Sequence, residues 1–350
     1  MANTFKAAVL VSLNKPLEIM ELLFPQLNEG QVLVRNIASG ICRSQLMEAA
    51  GKRGEDKWLP HLLGHEAVGI VEEIGPKVTK VKPGDKVVVG WIPGVGINSK
   101  IPTFASQEGV QVNSGSATTF SEYSVISENR VFLAPTGFSN DFLPQFGCAL
   151  LTGGGMVIST LDHLDNVQNF QALVLGFGGV GTAAALALNS YPNISISVVE
   201  QSAARRELAS ALGFKKVFQT VDEALNQTNI SLDKFDFCFE SAGSTTSIEE
   251  GFRSIKDEGS LTFASHPENG EFIKLDPHDL IKGKRIQGTW GGNLNPDNAI
   301  HEVANRLTAG NIKTDLLVGP RFDLEDVNAG LSYLESGSPG KPIIYFGDVK

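Results

Sequence analysis

The sequence comprises 350 residues with a formal net charge of −10, and 42% of its residues are hydrophobic and 19% are charged. These proportions are typical of a folded globular chain, and the length favours two domains over one. The negative charge argues against nucleic-acid binding, which requires a basic surface. No N-terminal signal peptide and no apolar run near the ~20 residues that span a bilayer are found, so we expect a cytoplasmic protein with no membrane partner.

The first part of the chain, from residue 5 to about 135, is predicted to consist of short β-strands separated by turns. The segment QVLVRNIA has the alternation of a strand, and AVGIVEEIG is a β-prone run that ends at Gly75 and Pro76. The turn in KPGDKVVVG leads into another strand. This pattern predicts an all-β region with few helices.

The composition changes after Cys148. The segment QALVLGFGGVGTAAALALNSYPNISISVVE predicts a strand, a glycine turn, an alanine-rich helix and a second strand. A helix that ends at Gly213 and strands in KFDFCFESAG and GSLTFAS continue the alternation, which predicts a doubly wound parallel sheet. The last strand, PIIYF, is expected to return to the first domain. The predicted domains are therefore residues 1–148 with 291–350, and residues 149–290 as an insertion.

A dinucleotide-binding turn is predicted where the first strand of this second domain meets its helix. GFGGVG has the G-x-G-x-x-G spacing that allows a tight turn, close approach of a pyrophosphate and close packing of helix on strand. The pyrophosphate would lie at the helix N-terminus, where free N–H groups favour negative charge. The candidate residues of this turn are Gly176, Gly178, Gly179, Val180 and Gly181.

An acidic residue, Glu200, ends the next predicted strand, 19 residues after Gly181. A carboxylate at this point accepts hydrogen bonds from the adenosine ribose and repels a 2′-phosphate, so NAD is favoured over NADP. Arg205 and Arg206 follow directly, and an arginine here can hold that phosphate. The alternative for both arginines is a solvated helix face.

Three cysteines, Cys42, Cys148 and Cys238, are too few and too widely spaced for a disulfide framework or a four-cysteine zinc site. Taken one at a time, Cys42, Cys148 and His65 are more often ordinary buried residues. Two thiolates and an imidazole together make a three-ligand catalytic zinc set with one open position. Glu66 lies next to His65 in the apolar segment LLGHEAVG, where a buried carboxylate requires a compensating partner.

The segments GICRS, LGHEAVGIVEEIG, KPGDKV, TFSEY, GCALLTGGG, GFGGVG and IQGTWGGN occur in the order found in one known family. Over nearly its whole length the sequence resembles the zinc-dependent medium-chain alcohol dehydrogenases. The resemblance implies a GroES-like β-rich catalytic domain that carries the zinc, and an inserted Rossmann domain that binds the dinucleotide.

The resemblance assigns one zinc ion per chain to Cys42, His65 and Cys148. It matches Glu66 to a carboxylate beside the ligands that can approach the metal, and Ser44 to the hydroxyl that takes the proton of the alcohol. The remaining assignments are pyrophosphate binding by Arg43 and Lys341, contact with the nicotinamide by Thr152, and lining of the substrate pocket by Trp91 and Trp290. For the two tryptophans, core packing is the alternative.

The sequence departs from the family pattern in three places. Residues 85–122 contain no cysteine, so the structural zinc lobe is expected to be replaced by a metal-free loop. Gln45 replaces an aspartate that orients the zinc-bound histidine, and we expect its amide oxygen to accept that N–H. Met47 replaces a histidine that passes the proton to solvent. We predict a buried strand position for Cys238, and no role is assigned to His61, His163, His266, His278 or His301.

We therefore expect a zinc- and NAD-dependent dehydrogenase that acts on a primary or secondary alcohol and its aldehyde or ketone, as a homodimer or homotetramer. The charged segment AAGKRGEDKWLP suggests a polyol or sugar alcohol, with a solvated loop as the alternative. The rival functions are a zinc-free quinone or enone reductase of the same superfamily, and a nucleotide-binding protein without turnover.

Overall fold

The computed structural model describes residues 4–162, 164, 169–227, 234–310 and 312–347. The described strands are β1 (Thr4–Leu10), β2 (Glu18–Leu23), β3 (Gln31–Gly40), β4 (His61–Leu62), β5 (Ala67–Ile74), β6 (Lys86–Val89), β7 (Thr103–Ala105), β8 (Gln111–Asn113), β9 (Tyr123–Ser127), β10 (Val131–Leu133), β11 (Gln171–Leu175), β12 (Ser195–Val199), β13 (Lys216–Phe218), β14 (Phe235–Glu240), β15 (Ile255–Phe263), β16 (Arg285–Gly288), β17 (Val318–Phe322) and β18 (Lys341–Tyr345). The described α-helices are α1 (Arg43–Ala49), α2 (Ala149–Leu161), α3 (Gly179–Leu188), α4 (Ala203–Ala211), α5 (Val221–Gln227), α6 (Thr245–Ser254), α7 (Pro277–Ile281), α8 (Pro296–Ala309) and α9 (Val327–Glu335).

The first of two compact units contains two sheets built mainly from antiparallel pairs. Among the described residues it comprises those within Met1–Cys148, Asn295–Asp297 and Leu317–Lys350. One sheet has the order β2-β1-β4-β8-β7, and the other has the order β10-β6-β5-β3-β18-β17 with β9 also paired to β3. As predicted, the final strand β18 returns to pair antiparallel with β3.

The second unit contains one six-stranded sheet, and its described residues lie within Ala149–Leu294 and Asn298–Leu316. The strand order is β13-β12-β11-β14-β15-β16, and each of these neighbouring pairs is parallel. This is the strand order of a Rossmann fold. The predicted combination of a β-rich domain with a doubly wound α/β domain is thus confirmed.

Small residues let the helices of the second unit pack closely. The residues of α3 from Thr182 to Leu188 are all buried. A side chain at Gly153 of α2 would place its Cβ 2.7 Å from the Cβ of Ala183, so this glycine is required for the contact between α2 and α3. The alanine-rich sequence of α3 therefore serves close helix packing as well as helix propensity.

The division of the chain differs from the predicted boundary at residue 290. The described part of 298–316 lies in the second unit, although 291–350 was predicted to belong with the first domain. Helix α8 explains the difference, because Val303 packs on Gly154 of α2 and Arg306 hydrogen-bonds Ser190 at 3.1 Å. The chain returns to the first unit only at Leu317.

None of the described helices is long and apolar enough to cross a membrane.

Candidate active site

The three predicted zinc ligands lie at ends of secondary-structure elements in the first unit. Cys42 directly precedes α1, and His65 lies between β4 and β5. Antiparallel pairing of Ser39 with Ala67 places the residues after β3 beside those before β5. Cys148 follows a short 3₁₀ helix whose last residue, Gly147, approaches so closely that a Cβ there would lie 2.2 Å from the carbonyl oxygen of Val89. Strand pairing and this close approach bring together residues that are distant in the sequence.

The ligand atoms of Cys42, His65, Glu66 and Cys148 all lie within 4.8 Å of one another. The Nε2 atom of His65 is 3.1 Å from the Cys148 sulfur. Glu66 and Cys148 are buried, whereas Cys42 and His65 are partly exposed. The cluster is therefore closed on the side of Glu66 and accessible on the side of Cys42 and His65.

Gln45 holds the imidazole of His65, but with the opposite end of its amide from the one predicted. Its Nε2 is 2.6 Å from Nδ1 of His65, whereas its Oε1 accepts the backbone N–H of Cys42 at 3.0 Å. An amide nitrogen donates, so this contact suits a lone pair on Nδ1. Ser44 Oγ, 3.4 Å from Nδ1, is an oxygen that could accept a proton carried by Nδ1 instead.

A buried ion pair lies behind the ligand atoms. The ammonium of Lys341 contacts Glu66 Oε1, and both side chains are buried. A Cβ at Gly40 would lie 2.7 Å from that same oxygen, so only glycine leaves room for the carboxylate. Burial raises the pKa of Glu66 despite the attraction of Lys341. Burial alone would lower the pKa of Lys341, but the charges of Glu66 and the two cysteines outweigh it and raise that pKa.

The two thiols share one hydrogen bond, which separates their pKa values. The hydrogen bond from Cys148 lowers the pKa of Cys42 well below its usual range, with help from the charge of Lys341. The same hydrogen bond and burial raise the pKa of Cys148 well above its usual range. One thiolate therefore forms readily, whereas the second requires a cation in place of the shared proton.

These four side chains fit a zinc ion. Two sulfurs and one imidazole nitrogen form the donor set of a three-ligand catalytic site. The second carboxylate oxygen of Glu66, Oε2, is buried and has no hydrogen-bond partner among the described residues. A buried acceptor of this kind is costly unless a cation or donor compensates it.

The glycine turn of the second unit joins β11 to α3 tightly, and its role as a pyrophosphate site stays a prediction. Gly176 has φ of +89°, and a Cβ at Gly181 would lie 1.9 Å from the Gly176 carbonyl oxygen. Gly178 is the N-cap of α3, which begins with Gly179 and Val180, so the first N–H groups of the helix border this turn. The positive φ of Gly176 and the close approach at Gly181 both favour glycine at these positions.

Glu200 holds the glycine turn, and its contact with a ribose stays a prediction. It is buried, and its two oxygens accept the backbone N–H groups of Phe177 at 2.7 Å and Ser202 at 2.8 Å. Arg206 donates to the carbonyl oxygens of Glu200 and Gln201, whereas Arg205 is the arginine near Gly178. Of the two arginines, Arg205 is thus the one placed next to the turn.

The other predicted residues are distributed over the two units. Arg43 is exposed at the start of α1, and Trp91 is half-buried in the first unit. Thr152 is buried in α2, and Trp290 is 66% exposed, so core packing does not describe Trp290. Lys341, expected to bind pyrophosphate, is the partner of Glu66, and its pyrophosphate role stays a prediction.

Comparison with known proteins identifies the family. Residues 28–136 match the family described as "Alcohol dehydrogenase GroES-like domain", and residues 179–309 match the family described as "Zinc-binding dehydrogenase". The chain belongs to the zinc-dependent medium-chain dehydrogenase family. It is thus an oxidoreductase of this family, as the motifs predicted.

Several relatives match over almost their whole length. The chain is 29% identical to an NDMA-dependent alcohol dehydrogenase of Amycolatopsis methanolica, covering 97% of this chain and 98% of that protein. It is 25% identical to an S-(hydroxymethyl)glutathione dehydrogenase of Paracoccus denitrificans, with 97% and 99% coverage. The crystal structure of benzyl alcohol dehydrogenase from Acinetobacter calcoaceticus matches with a TM-score of 0.86 and 28% identity, covering 98% of this chain and 99% of that chain.

Two side chains at or near the site were missed by sequence reasoning. Lys341 was assigned to the cofactor, and its pairing with Glu66 was not predicted. A buried Glu66 requires a positively charged partner, but Lys341 is 275 positions away in the sequence. His61 was given no partner, yet it is buried and 2.9 Å from Asp56.

Cys238 is buried in β14 as predicted, and burial raises the pKa of its thiol. His266, His278 and His301 are exposed, and His163 lies outside the described residues.

Proposed function

We propose that this protein is an alcohol dehydrogenase that holds one zinc ion at Cys42, His65 and Cys148 and transfers a hydride between an alcohol and NAD. The observation that carries the proposal is the meeting of these three donors with the buried, incompletely paired carboxylate of Glu66. A merely structural cluster has no need of an unpaired buried acceptor. The relatives' names, which refer to alcohol and hydroxymethyl compounds, support the same class of reaction.

The residues of the chain have distinct tasks in this reaction. When bound, zinc supplies a Lewis acid for the alcohol oxygen and the dinucleotide supplies the hydride acceptor. Ser44 Oγ takes the hydroxyl proton of the alcohol, and its neighbour Gln45 holds the ring of His65. Lys341 balances the charge of Glu66, whose carboxylate would be a further possible ligand for the zinc ion.

The residues assigned to the dinucleotide include the glycine turn of the second unit and two basic residues of the first. The N–H groups at the start of α3 would bind the pyrophosphate, and Arg43, Arg205 and Lys341 would supply positive charge. Thr152 would contact the nicotinamide, and Trp91 and Trp290 would line the alcohol pocket. The assembly is expected to be a homodimer or homotetramer.

Two rival functions are weighed against this one. A zinc-free quinone or enone reductase does not require the complete set of Cys42, His65, Glu66 and Cys148. A nucleotide-binding protein without turnover does not require an open metal site. The alcohol class is a primary or secondary alcohol, and a polyol or sugar alcohol is included because residues 49–60 are rich in charge.

A screen of alcohols tests the proposal directly. Primary and secondary alcohols, polyols and sugar alcohols would be incubated with NAD and the zinc-loaded protein, and NADH formation would be followed by absorbance. We expect turnover of at least one alcohol and its loss when a chelator removes the zinc, because the Lewis acid is then missing. Absence of turnover with every alcohol would contradict the proposal. Reduction of a quinone or an enone by NADH or NADPH with the zinc-depleted protein would then favour the reductase, and turnover of neither class would favour the binding protein.

We expect NAD to be used more efficiently than NADP, and the charge of Glu200 to be the reason. Replacement by alanine would leave the N–H groups of both Phe177 and Ser202 unpaired, whereas the single carbonyl oxygen of Glu200→Gln can still accept from one of them, so Glu200→Gln is the milder variant. Removing one like charge near a 2′-phosphate should raise the ratio of kcat/KM for NADP to that for NAD by about 10-fold. Glu207→Gln, on the exposed face of α4, should leave the ratio unchanged. Wild-type preference for NADP would show that Arg205 dominates.

A further inference from the structure

A second group of metal-ligating side chains lies between Cys42 and His65. Carboxylate oxygens of Glu48 and Asp56 and a ring nitrogen of His61 all lie within 4.8 Å of one another. We call these three residues the distal cluster. We propose that the distal cluster is a second divalent-cation site, with one nitrogen and two carboxylate ligands.

The hydrogen bonds of His61 leave its Nε2 atom directed at a carboxylate. Its Nδ1 is 2.9 Å from the carbonyl oxygen of Leu62, which can only accept, so Nδ1 carries a proton. Its Nε2 is 2.9 Å from Asp56 Oδ2. A neutral imidazole would then present a lone pair to a carboxylate, so either a proton or a metal cation must lie between them. A backbone carbonyl on the remote ring nitrogen is the arrangement that orients metal-binding histidines.

One of the three donor separations can be compared with the spacing around a cation. Ligand atoms at right angles, with bonds of about 2.1 Å, lie roughly 3 Å apart. The separation of 2.9 Å between Nε2 of His61 and Oδ2 of Asp56 agrees with this value. The other oxygen of Asp56, Oδ1, accepts the backbone N–H of Trp58 at 2.9 Å, which fixes the carboxylate.

Burial and access also fit a metal site. The side chains of His61 and Asp56 are 6% and 11% exposed, whereas that of Glu48 is 31% exposed. Glu48 therefore borders the solvent side, where a hydrated cation can enter. Arg53 lies 3.7 Å from Glu48 and only partly balances the two carboxylates.

The donor set indicates the kind of cation. One imidazole and two carboxylates, without a thiol, suit Mn²⁺, Co²⁺ or Zn²⁺. The sulfur-rich cluster of Cys42, His65 and Cys148 has a much stronger preference for zinc than for Mn²⁺. Mn²⁺ is therefore the probe that distinguishes the distal cluster from the proposed catalytic site.

A cation in the distal cluster would join three successive parts of the chain. Glu48 is on α1, which carries Ser44, and His61 begins β4, which leads to His65. Asp56 belongs to the segment that connects α1 with β4. Binding would thus restrain the segment from 50 to 60, between the first two predicted zinc ligands.

Titration of the zinc-loaded protein with MnCl₂, followed by electron paramagnetic resonance, tests the proposal. We expect one Mn²⁺ per chain, with zinc content unchanged, and binding weaker by at least about 10-fold in Glu48→Gln and Asp56→Asn. Glu48→Gln leaves the contact of His61 with Asp56 in place, so its loss of binding cannot come from misfolding of that pair. Glu55→Gln is the matched control, because Glu55 is exposed beside Asp56 and outside the cluster.

Limited proteolysis gives a second readout. Mn²⁺ should slow tryptic cleavage after Lys52, Arg53 and Lys57 in the wild type and in Glu55→Gln, but not in Asp56→Asn. Absence of saturable Mn²⁺ binding to the wild type would overturn the proposal and leave a proton between His61 and Asp56. Binding that either Glu48→Gln or Asp56→Asn leaves unchanged would overturn it as well.

Discussion

Replacing Cys148 by alanine is expected to remove both the tightly held zinc and the dehydrogenase activity. The Cys148 sulfur is 3.1 Å from Nε2 of His65 and shares a hydrogen bond with Cys42. Without it, two protein ligands remain, fewer than catalytic zinc sites use. Because a Lewis acid lowers the activation barrier by several kcal/mol, we expect kcat/KM to fall by at least about 10³-fold when it is lost. The zinc content measured after dialysis should fall from one ion per chain to none.

Cys238→Ala is the matched control for that experiment. Cys238 is buried in β14 of the second unit, and its sulfur would lie 3.0 Å from a Cβ placed on Gly251. The substitution should lower the free energy of unfolding by about 1 kcal/mol, because it leaves a small cavity, while zinc content and activity stay at wild-type levels. A Cys148→Ala protein that kept its zinc and its activity would contradict the ligand assignment.

The strands and helices of the second unit were predictable because local sequence decides them. Apolar runs, an alanine-rich helix and turn-forming glycines recur with the spacing of a βα alternation, and strands β11, β12 and β14 occur where they were predicted. The return of β18 to β3 was also predicted. The predicted domain boundary at residue 290 was misplaced, because nothing in the local sequence of α8 indicates which of the two units the helix packs against. Tertiary contacts such as that of Val303 with Gly154 place α8 in the second unit.

The candidate site was predictable in its members but not in its contacts. Resemblance to the family brought Cys42, His65 and Cys148 together, since nothing in their spacing along the chain does so. The pairing of Lys341 with Glu66 depends on β18 lying beside β3, which is a property of the sheet. The side-chain amide of Gln45 is turned by its bond to the Cys42 N–H, a backbone contact that residue type does not reveal.

The loop predicted to lack a structural metal is held by a carboxylate. Glu128 is 2% exposed and accepts the backbone N–H groups of Thr79 at 3.0 Å, Lys80 at 3.3 Å and Ile97 at 2.9 Å. The loop at residues 79–80 and the loop at residue 97 are thereby tied to one side chain. Gly96 allows the approach, since it has φ of +120° and a Cβ there would lie 2.8 Å from Glu128 Cγ. The buried carboxylate of Glu128 therefore holds this loop in place through hydrogen bonds to backbone N–H groups.

Replacing Glu128 by alanine should lower the free energy of unfolding by about 3–5 kcal/mol. Three N–H groups would lose a charged acceptor, and each buried donor left unpaired costs about 1–3 kcal/mol, reduced where water reaches it. Glu128→Gln should lose less, because its single carbonyl oxygen can still accept from one of the two loops. Urea unfolding would give the stabilities, and hydrogen exchange of the amides of Thr79, Lys80 and Ile97 would show which hydrogen bonds are lost.

The exposed Glu73 of β5 supplies a matched control, and Glu73→Gln should change stability by no more than about 0.5 kcal/mol. Zinc content should stay at one per chain in Glu128→Ala, because Glu128 accepts from loop amides and not from the zinc ligands. Faster exchange at Thr79, Lys80 and Ile97 with zinc retained would separate the loop from the metal site. If Glu128→Ala were as stable as Glu73→Gln, the carboxylate would not be what holds the two loops, and the packing of Gly96 would have to do so alone.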